Sequence, residues 1–176
     1  MICAYQVLAP SLVDSQKCIL KEWLDEYESP AMRIALSDTL GTEKFLKDFD
    51  DSLANEYFGI RHDSGEPFNW GEDMIVLYQK LGIDPKTKLL VFSDCIDFDK
   101  AFKLVRVFSR RIGVAFGIGT HLGNDCGFKV YQMVFKMVQC NGKPVVKLSN
   151  SVGKGMCEDK EFETNLKKVI EDDLKG

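Results

Sequence analysis

The chain has only two histidines, His62 and His121, and neither stands at zinc-ligand spacing from a cysteine. That argues against a structural zinc site. None of the six cysteines (Cys3, Cys18, Cys95, Cys126, Cys140 and Cys157) forms a C-x-x-C pair. They read as free thiols of a reducing compartment, so the expected location is cytoplasmic. Apolar runs such as Leu89-Leu90-Val91-Phe92 are short, and a membrane span needs roughly 20 residues. The start, Met1-Ile2-Cys3-Ala4-Tyr5, lacks the basic and long apolar stretches of a signal peptide. No run of Lys or Arg offers a nucleic-acid footprint, and the net charge is −4.

What is present is an ordinary globular composition: 176 residues, 45% hydrophobic and 28% charged, which argues against disorder. Apolar residues recur at helical spacing over 11–27, through Leu12, Ile19, Leu20, Trp23, Leu24 and Tyr27, with Pro30 as a stop. A strand–helix alternation follows. Strands are expected at 33–36, 58–61, 88–92 and 114–116. Helices are expected at 42–57, 71–81 and 97–111, the last burying Phe98, Ala101, Phe102, Val105 and Phe108. The strands begin near positions 33, 58, 88 and 113, so successive units are 25, 30 and 25 residues long. Units of that size with apolar strands predict a parallel sheet covered by helices. A complete eight-unit barrel needs about 250 residues, so four units suggest half of an α/β barrel. After Gly127 the pattern changes. Two strands, 130–140 and 144–149, flank Asn141-Gly142, a hairpin signal. A last helix is expected at 160–174. The predicted division is 1–127 for the half barrel and 128–176 for a hairpin and helix that join a second domain.

Each expected parallel strand ends in a polar cluster. These are Ser37-Asp38-Thr39, Arg61-His62-Asp63-Ser64-Gly65, Ser93-Asp94 and Gly117-Ile118-Gly119-Thr120. In a barrel such ends share the face where active sites are built. Taken singly, each reads as helix-cap chemistry, and it is the four in phase that favour a shared site. Gly117, Gly119 and Thr120 suit a phosphate cradle, because glycines let backbone N–H groups approach an anion and Thr120 adds a hydroxyl. A plain tight turn is the alternative. Arg61 can clamp a carboxylate or phosphate. Asp63 and Asp94 can accept from sugar hydroxyls and stabilise positive charge on a ribose ring. The competing reading is a structural ion pair of Arg61 with Asp63 or Asp94. His62 reads as a packed neighbour rather than a catalyst. Cys95 and Cys126 have no His/Asn arrangement to activate them.

These runs, in this order, resemble nicotinate phosphoribosyltransferase. The resemblance rests on 34–39, on Gly59 through Pro67 (R-H-D-S-G-x-P), on 80–85, 90–94 and 116–120, and on Lys136 through Val145 (K-x-V-x-C-N-G-K-P) with 147–151. It implies a type II phosphoribosyltransferase fold, an irregular α/β barrel joined to a second domain. It also implies transfer of phosphoribose from phosphoribosyl pyrophosphate to nicotinate, yielding nicotinate mononucleotide and pyrophosphate in NAD salvage. ATP hydrolysis through a phosphorylated histidine would drive the step, with Mg²⁺ accompanying the polyphosphates and no protein metal ligand assigned. By the same resemblance Arg61 contacts nicotinate and pyrophosphate. Asp63 and Asp94 hold the ribose, and Ser64, Gly65 and Ser93 are further substrate-binding residues. Gly117, Gly119 and Thr120 hold the 5′-phosphate, and Asp38 orients the phosphorylated histidine.

Neither His62 nor His121 matches the motif of that histidine, and Glu66 stands where the family has Asp. The family's amino-terminal half is expected to be absent. Open sheet edges would then favour poor solubility or association with a separate amino-terminal chain, and the resemblance implies a possible homodimer. The competing functions are a non-catalytic remnant that binds phosphate or a partner, and an unrelated sugar-phosphate barrel enzyme.

Overall fold

The computed structural model describes residues 2–124, 126–129, 134–151 and 154–176. Strands β1 (Ile34–Leu36), β2 (Gly59–His62), β3 (Leu89–Phe92) and β4 (Gly113–Phe116) form a parallel sheet in the order β1-β2-β3-β4. Sequential order with helical crossovers brings all four carboxyl-terminal strand ends to one edge. Two helices, α1 (Tyr5–Leu8) and α2 (Ser15–Glu26), precede the sheet. The crossovers are α3 (Thr42–Asp48) with α4 (Asp51–Glu56), then α5 (Pro67–Lys80), then α6 (Phe98–Phe108). A short α7 (Thr120–Gly123) follows β4, and α8 (Lys160–Lys175) closes the chain. Among the described residues no helix is long and apolar enough to cross a membrane. All six cysteines are free.

Burial alternates along β3: Leu90 and Phe92 are sealed, while Leu89 and Val91 are half-buried. The sealed face packs with Ile60, Met74, Tyr78, Leu104 and Phe108 into the main core. Gly59 is demanded where β2 meets β3, because a Cβ there would lie 2.3 Å from the Leu89 carbonyl oxygen.

Several element boundaries differ from expectation, each for a local reason. The helix expected over 42–57 is two helices, because the Asp50 carboxylate accepts from the Leu53 N–H and starts a new one. Helix α5 begins at Pro67 rather than Gly71: Glu66 caps it by accepting from the Asn69 N–H, and Pro67 supplies a preset φ. On α6 the buried face is Ala101, Leu104 and Phe108, whereas Phe98, Phe102 and Val105 are exposed. The periodicity accommodated either stripe, and the seat against the sheet selected the first.

The expected carboxy-terminal strands shrink. Residues 130–133 lie outside the described residues, and 134–138 form no regular element. Among the described residues the hairpin ladder is short: β5 (Gln139–Cys140) pairs with β6 (Lys143–Pro144), antiparallel across Asn141 and Gly142, both at positive φ, and the Val145 N–H adds one bond to the Val138 carbonyl. Beyond Val145 the backbone finds other partners. The Gln6 side chain bonds both the N–H and the carbonyl of Val146, and the Leu148 N–H donates to the Thr39 carbonyl. A second core joins Leu40, Val146, Leu166 and Ile170. Burying Val146, Leu166 and Ile170 stabilises by about 2 kcal/mol each, before the entropy of ordering them is counted. The 145–151 segment is thereby laid across the strand ends.

Candidate functional site

The loop after β1 is anchored first. Ser37 donates to the Arg61 carbonyl (3.0 Å) and accepts from the Trp70 indole N–H (2.9 Å). Asp38 follows, almost wholly buried. Its carboxylate accepts from Ser64 Oγ (2.6 Å) and Ser149 Oγ (3.2 Å), and lies 3.0 Å from Lys147 Nζ. The same ammonium is 2.6 Å from Asp63. Lys147 therefore bridges the ends of β1 and β2. Burial works against its charge, but the bonds to Asp63 and Asp38 outweigh that and raise its pKa above the ordinary value.

At the end of β2, Arg61 is half exposed. Its Nε donates to Ser93 Oγ (2.8 Å), and a terminal nitrogen stands 3.6 Å from Asp63. The structural Arg61–Asp63 pair is thus formed, though loosely. Ser64 is buried and accepts from the Asn150 N–H (3.1 Å); the Gly65 N–H donates to Ser151 Oγ (3.2 Å). Gly65 takes a φ of +91°, a conformation that favours glycine, and it reverses the chain into α5.

After β3, Ser93 Oγ donates to the His62 carbonyl (2.7 Å). Asp94 pairs with the Lys154 ammonium and accepts from the Cys95 thiol (3.3 Å). Burial pushes the Asp94 carboxyl upward, but these two partners outweigh it and hold it below the usual carboxylate range. Gly117 continues from β4: its N–H donates to the Phe92 carbonyl, and a Cβ there would come within 3.0 Å of Ser93 Cβ. Gly119 and Thr120 lead into α7 on the same edge.

The structure therefore joins Asp38, Arg61, Asp63, Ser64, Gly65 and Ser93 in one bonded cluster. Asp94 and Gly117 lie beside Ser93, and Asp94 is linked through Lys154, which also reaches the Asp63 carbonyl. Gly119 and Thr120 share the edge without a described bond to the rest. A cleft of about 530 Å³ between α3, α5 and α8 borders the cluster at Ser64 and Gly65 but is not lined by Asp38, Asp63 or Asp94. The three carboxylates therefore lie outside that cleft. Among the described residues no three His, Cys, Asp or Glu side chains come together to hold a metal ion.

His62 is sealed beneath the rim, its ring 5.1 Å from Trp70 and 6.1 Å from Phe92. Among the described residues neither ring nitrogen has a hydrogen-bond partner. Each such orphan costs about 1–3 kcal/mol relative to a satisfied group. Burial lowers the imidazole pKa, against the pull of Asp94, the Gly65 backbone, Asp38 and Asp63.

Sequence reasoning missed Lys147, Lys154, Ser149, Asn150 and Ser151 as members of the rim. The run 147–151 carries the family resemblance, but its first three residues fall in the strand expected at 144–149. The available signal was the density of cationic and hydroxyl side chains after Pro144, unusual for a strand with an apolar face.

The model described as the nicotinate phosphoribosyltransferase (NAPRTase) family matches residues 2–174. Nicotinate phosphoribosyltransferase of Sodalis glossinidius is 53% identical over 169 residues, covering 96% of this chain and 42% of that protein. Its counterpart in Proteus mirabilis is 50% identical over the same length. Among solved structures, nicotinate phosphoribosyltransferase from Vibrio cholerae superposes with a TM-score of 0.90 at 43% identity, covering 98% of this chain and 44% of that one. The enzyme from Porphyromonas gingivalis gives 0.86 at 27% identity. The chain thus spans about two fifths of the length of the curated relatives it matches.

Proposed function

Because the chain belongs to the nicotinate phosphoribosyltransferase family, we propose that its rim grips phosphoribosyl pyrophosphate for transfer of phosphoribose to nicotinate, and that its sheet is part of a type II phosphoribosyltransferase barrel. The observation that carries this reading is the meeting of Asp38, Asp63 and Asp94 on one sheet edge with Arg61, Lys147 and Lys154.

In the reaction the bond from ribose C1′ to pyrophosphate breaks and the nicotinate ring nitrogen takes its place. The pyrophosphate leaves with its electron pair, and the ribose becomes cation-like on the way. Asp63 and Asp94 accept from ribose hydroxyls and stabilise that positive charge at fixed positions. A diol seated there competes with Lys147 at Asp63 and with Lys154 at Asp94. Arg61, Lys147 and Lys154 supply positive charge beside the departing pyrophosphate. Gly117, Gly119 and Thr120 receive the 5′-phosphate through backbone N–H groups and a hydroxyl.

A Mg²⁺ ion would arrive with the polyphosphate and be held chiefly by phosphate oxygens and water. ATP enters this reading by family only. His62 is sealed and cannot meet a phosphoryl donor.

Calorimetric titration with phosphoribosyl pyrophosphate tests the proposal. Asp94→Asn and Thr120→Val should each weaken binding at least tenfold, about 1.4 kcal/mol. Wild-type affinity in both variants would refute the assignment of the rim.

A further inference from the structure

We infer that Asn150 is a positioning residue of this rim, its side-chain amide locking the loop after β1 to the turn after β2. The inference rests on the phosphoribosyl-transfer reading, since it names what sets the spacing of two loops in that same site.

Both loops reverse at a glycine in the left-handed region, Gly41 at φ +92° and Gly65 at φ +91°. Asn150 lies against both. A Cβ added at Gly41 would stand 3.6 Å from Asn150 Oδ1, and one added at Gly65 would stand 3.8 Å from Asn150 Cβ. On the β1 side, Asn150 Oδ1 accepts from the Thr42 N–H (3.0 Å) and Nδ2 donates to Thr42 Oγ1. A backbone N–H can only donate, so it fixes which end of the amide faces it. Thr42 is the first residue of α3, and first-turn N–H groups have no partner within their own helix. Gly41 precedes it with no side chain to cap it, and Asn150 supplies the bond from 108 residues away. On the β2 side, the Asn150 N–H donates to Ser64 Oγ (3.1 Å), which itself donates to Asp38 (2.6 Å). The side chain anchors on one loop and the backbone on the other, so the amide sets where Ser64 is held.

The segment that carries Asn150 is bent to deliver it. Ser149 takes a φ of +62°, which residues with side chains rarely adopt. Such a kink persists only where its surroundings over-determine it. Before the kink, the Leu148 N–H donates to the Thr39 carbonyl. At the kink, Ser149 Oγ donates to Asp38 (3.2 Å). After it come the Asn150 bonds, and then Ser151 Oγ accepts from the Gly65 N–H (3.2 Å). Leu148 and Ser149 thus hold the β1 loop, and Ser151 holds the β2 turn. Within 148–151, among the described bonds, only Asn150 reaches both. A plain helix cap accounts for the contact with Thr42 but not for the bond to Ser64 or for the kink that makes it.

The test compares wild type, Asn150→Ala and Asn150→Asp. Amide hydrogen exchange is read by NMR, without ligand, at Thr42, at Gly65 and at Leu104 in the buried face of α6. Asn150→Ala should speed exchange at Thr42 and Gly65 at least about fivefold, the worth of one ordinary hydrogen bond, and leave Leu104 unchanged. The Gly65 N–H is bonded to Ser151 and not to Asn150, so its response reports the turn rather than a lost contact. An aspartate keeps an oxygen for the Thr42 N–H and can accept from the Thr42 hydroxyl, so Asn150→Asp should restore slow exchange at both amides. Unchanged exchange at Gly65 in Asn150→Ala overturns the inference and leaves Asn150 a helix cap. An equal speed-up at Leu104 overturns it too, because the effect is then global, and so does a failure of Asn150→Asp to recover. Phosphoribosyl pyrophosphate titration separates the two readings. If wild type does not bind it, the substrate assignment fails while the exchange data still decide what Asn150 holds. If wild type binds, Asn150→Ala should weaken binding at least about fivefold, and unchanged affinity overturns the inference.

Discussion

Replacing Lys147 with Met removes the cation that bridges Asp38 and Asp63, and the cost follows from the geometry. Asp38 is 1% exposed and cannot recover its hydration by turning outward. Removing one partner of a buried ion pair usually costs about 3–5 kcal/mol, because the other charge is left uncompensated. Asp38 retains the Ser64 and Ser149 hydroxyls at 2.6 and 3.2 Å, and Asp63 is a third exposed, so the lower end applies. Lys147→Met should therefore destabilise by about 3 kcal/mol, lowering the melting temperature by roughly 6–12 °C in a chain of this size. Urea unfolding at pH 7.5 measures it. The reasoning makes a sharper demand of the double variant. Asp38→Asn with Lys147→Met removes both charges, so it should be more stable than the sum of the single losses predicts by about 2 kcal/mol. If Lys147→Met costs less than about 0.5 kcal/mol, the value typical of an exposed pair, the bridge is not a buried one and the argument fails.

Gly59→Ala should abolish soluble expression or cost at least about 3 kcal/mol, because the added Cβ meets a strand carbonyl that cannot move without breaking the sheet. Asp50→Ala should cost about 1 kcal/mol in chemical unfolding through loss of the α4 cap, with little change in ligand affinity. With His62 held below its ordinary pKa of 6.5, the unfolded chain binds a proton that the folded chain refuses. Stability should therefore decline as pH falls below about 6.5 and level off beneath the folded pKa. His62→Phe should flatten that limb of the urea midpoint against pH. In a product assay, ATP should not stimulate nicotinate mononucleotide formation by the 176-residue chain, and stimulation would show that a histidine here relays phosphate.

The parallel units were legible because each strand and helix carries its own period. The runs at 34–36, 89–92 and 113–116 are short and apolar, and with 59–62 they are regularly spaced, which is enough to mark a parallel sheet. Caps were less legible. Asp50 and Glu66 move helix boundaries through single hydrogen bonds that no periodicity records. The stripe of α6 that faces inward was ambiguous, since Phe98, Phe102 and Val105 are as apolar as the residues that are buried.

At the rim the division is sharper. That Asp38, Arg61, Asp63, Ser64, Ser93 and Asp94 share one edge follows from local order alone, because parallel strands joined by helices place every following loop at the same end. That Lys147 and Lys154 complete the cluster does not, because they lie 84 and 60 residues from the carboxylates they pair with, Asp63 and Asp94. Contacts of that separation are decided by where the second core seats the 145–151 segment. Packing geometry of that kind leaves no periodic trace in the chain that produces it.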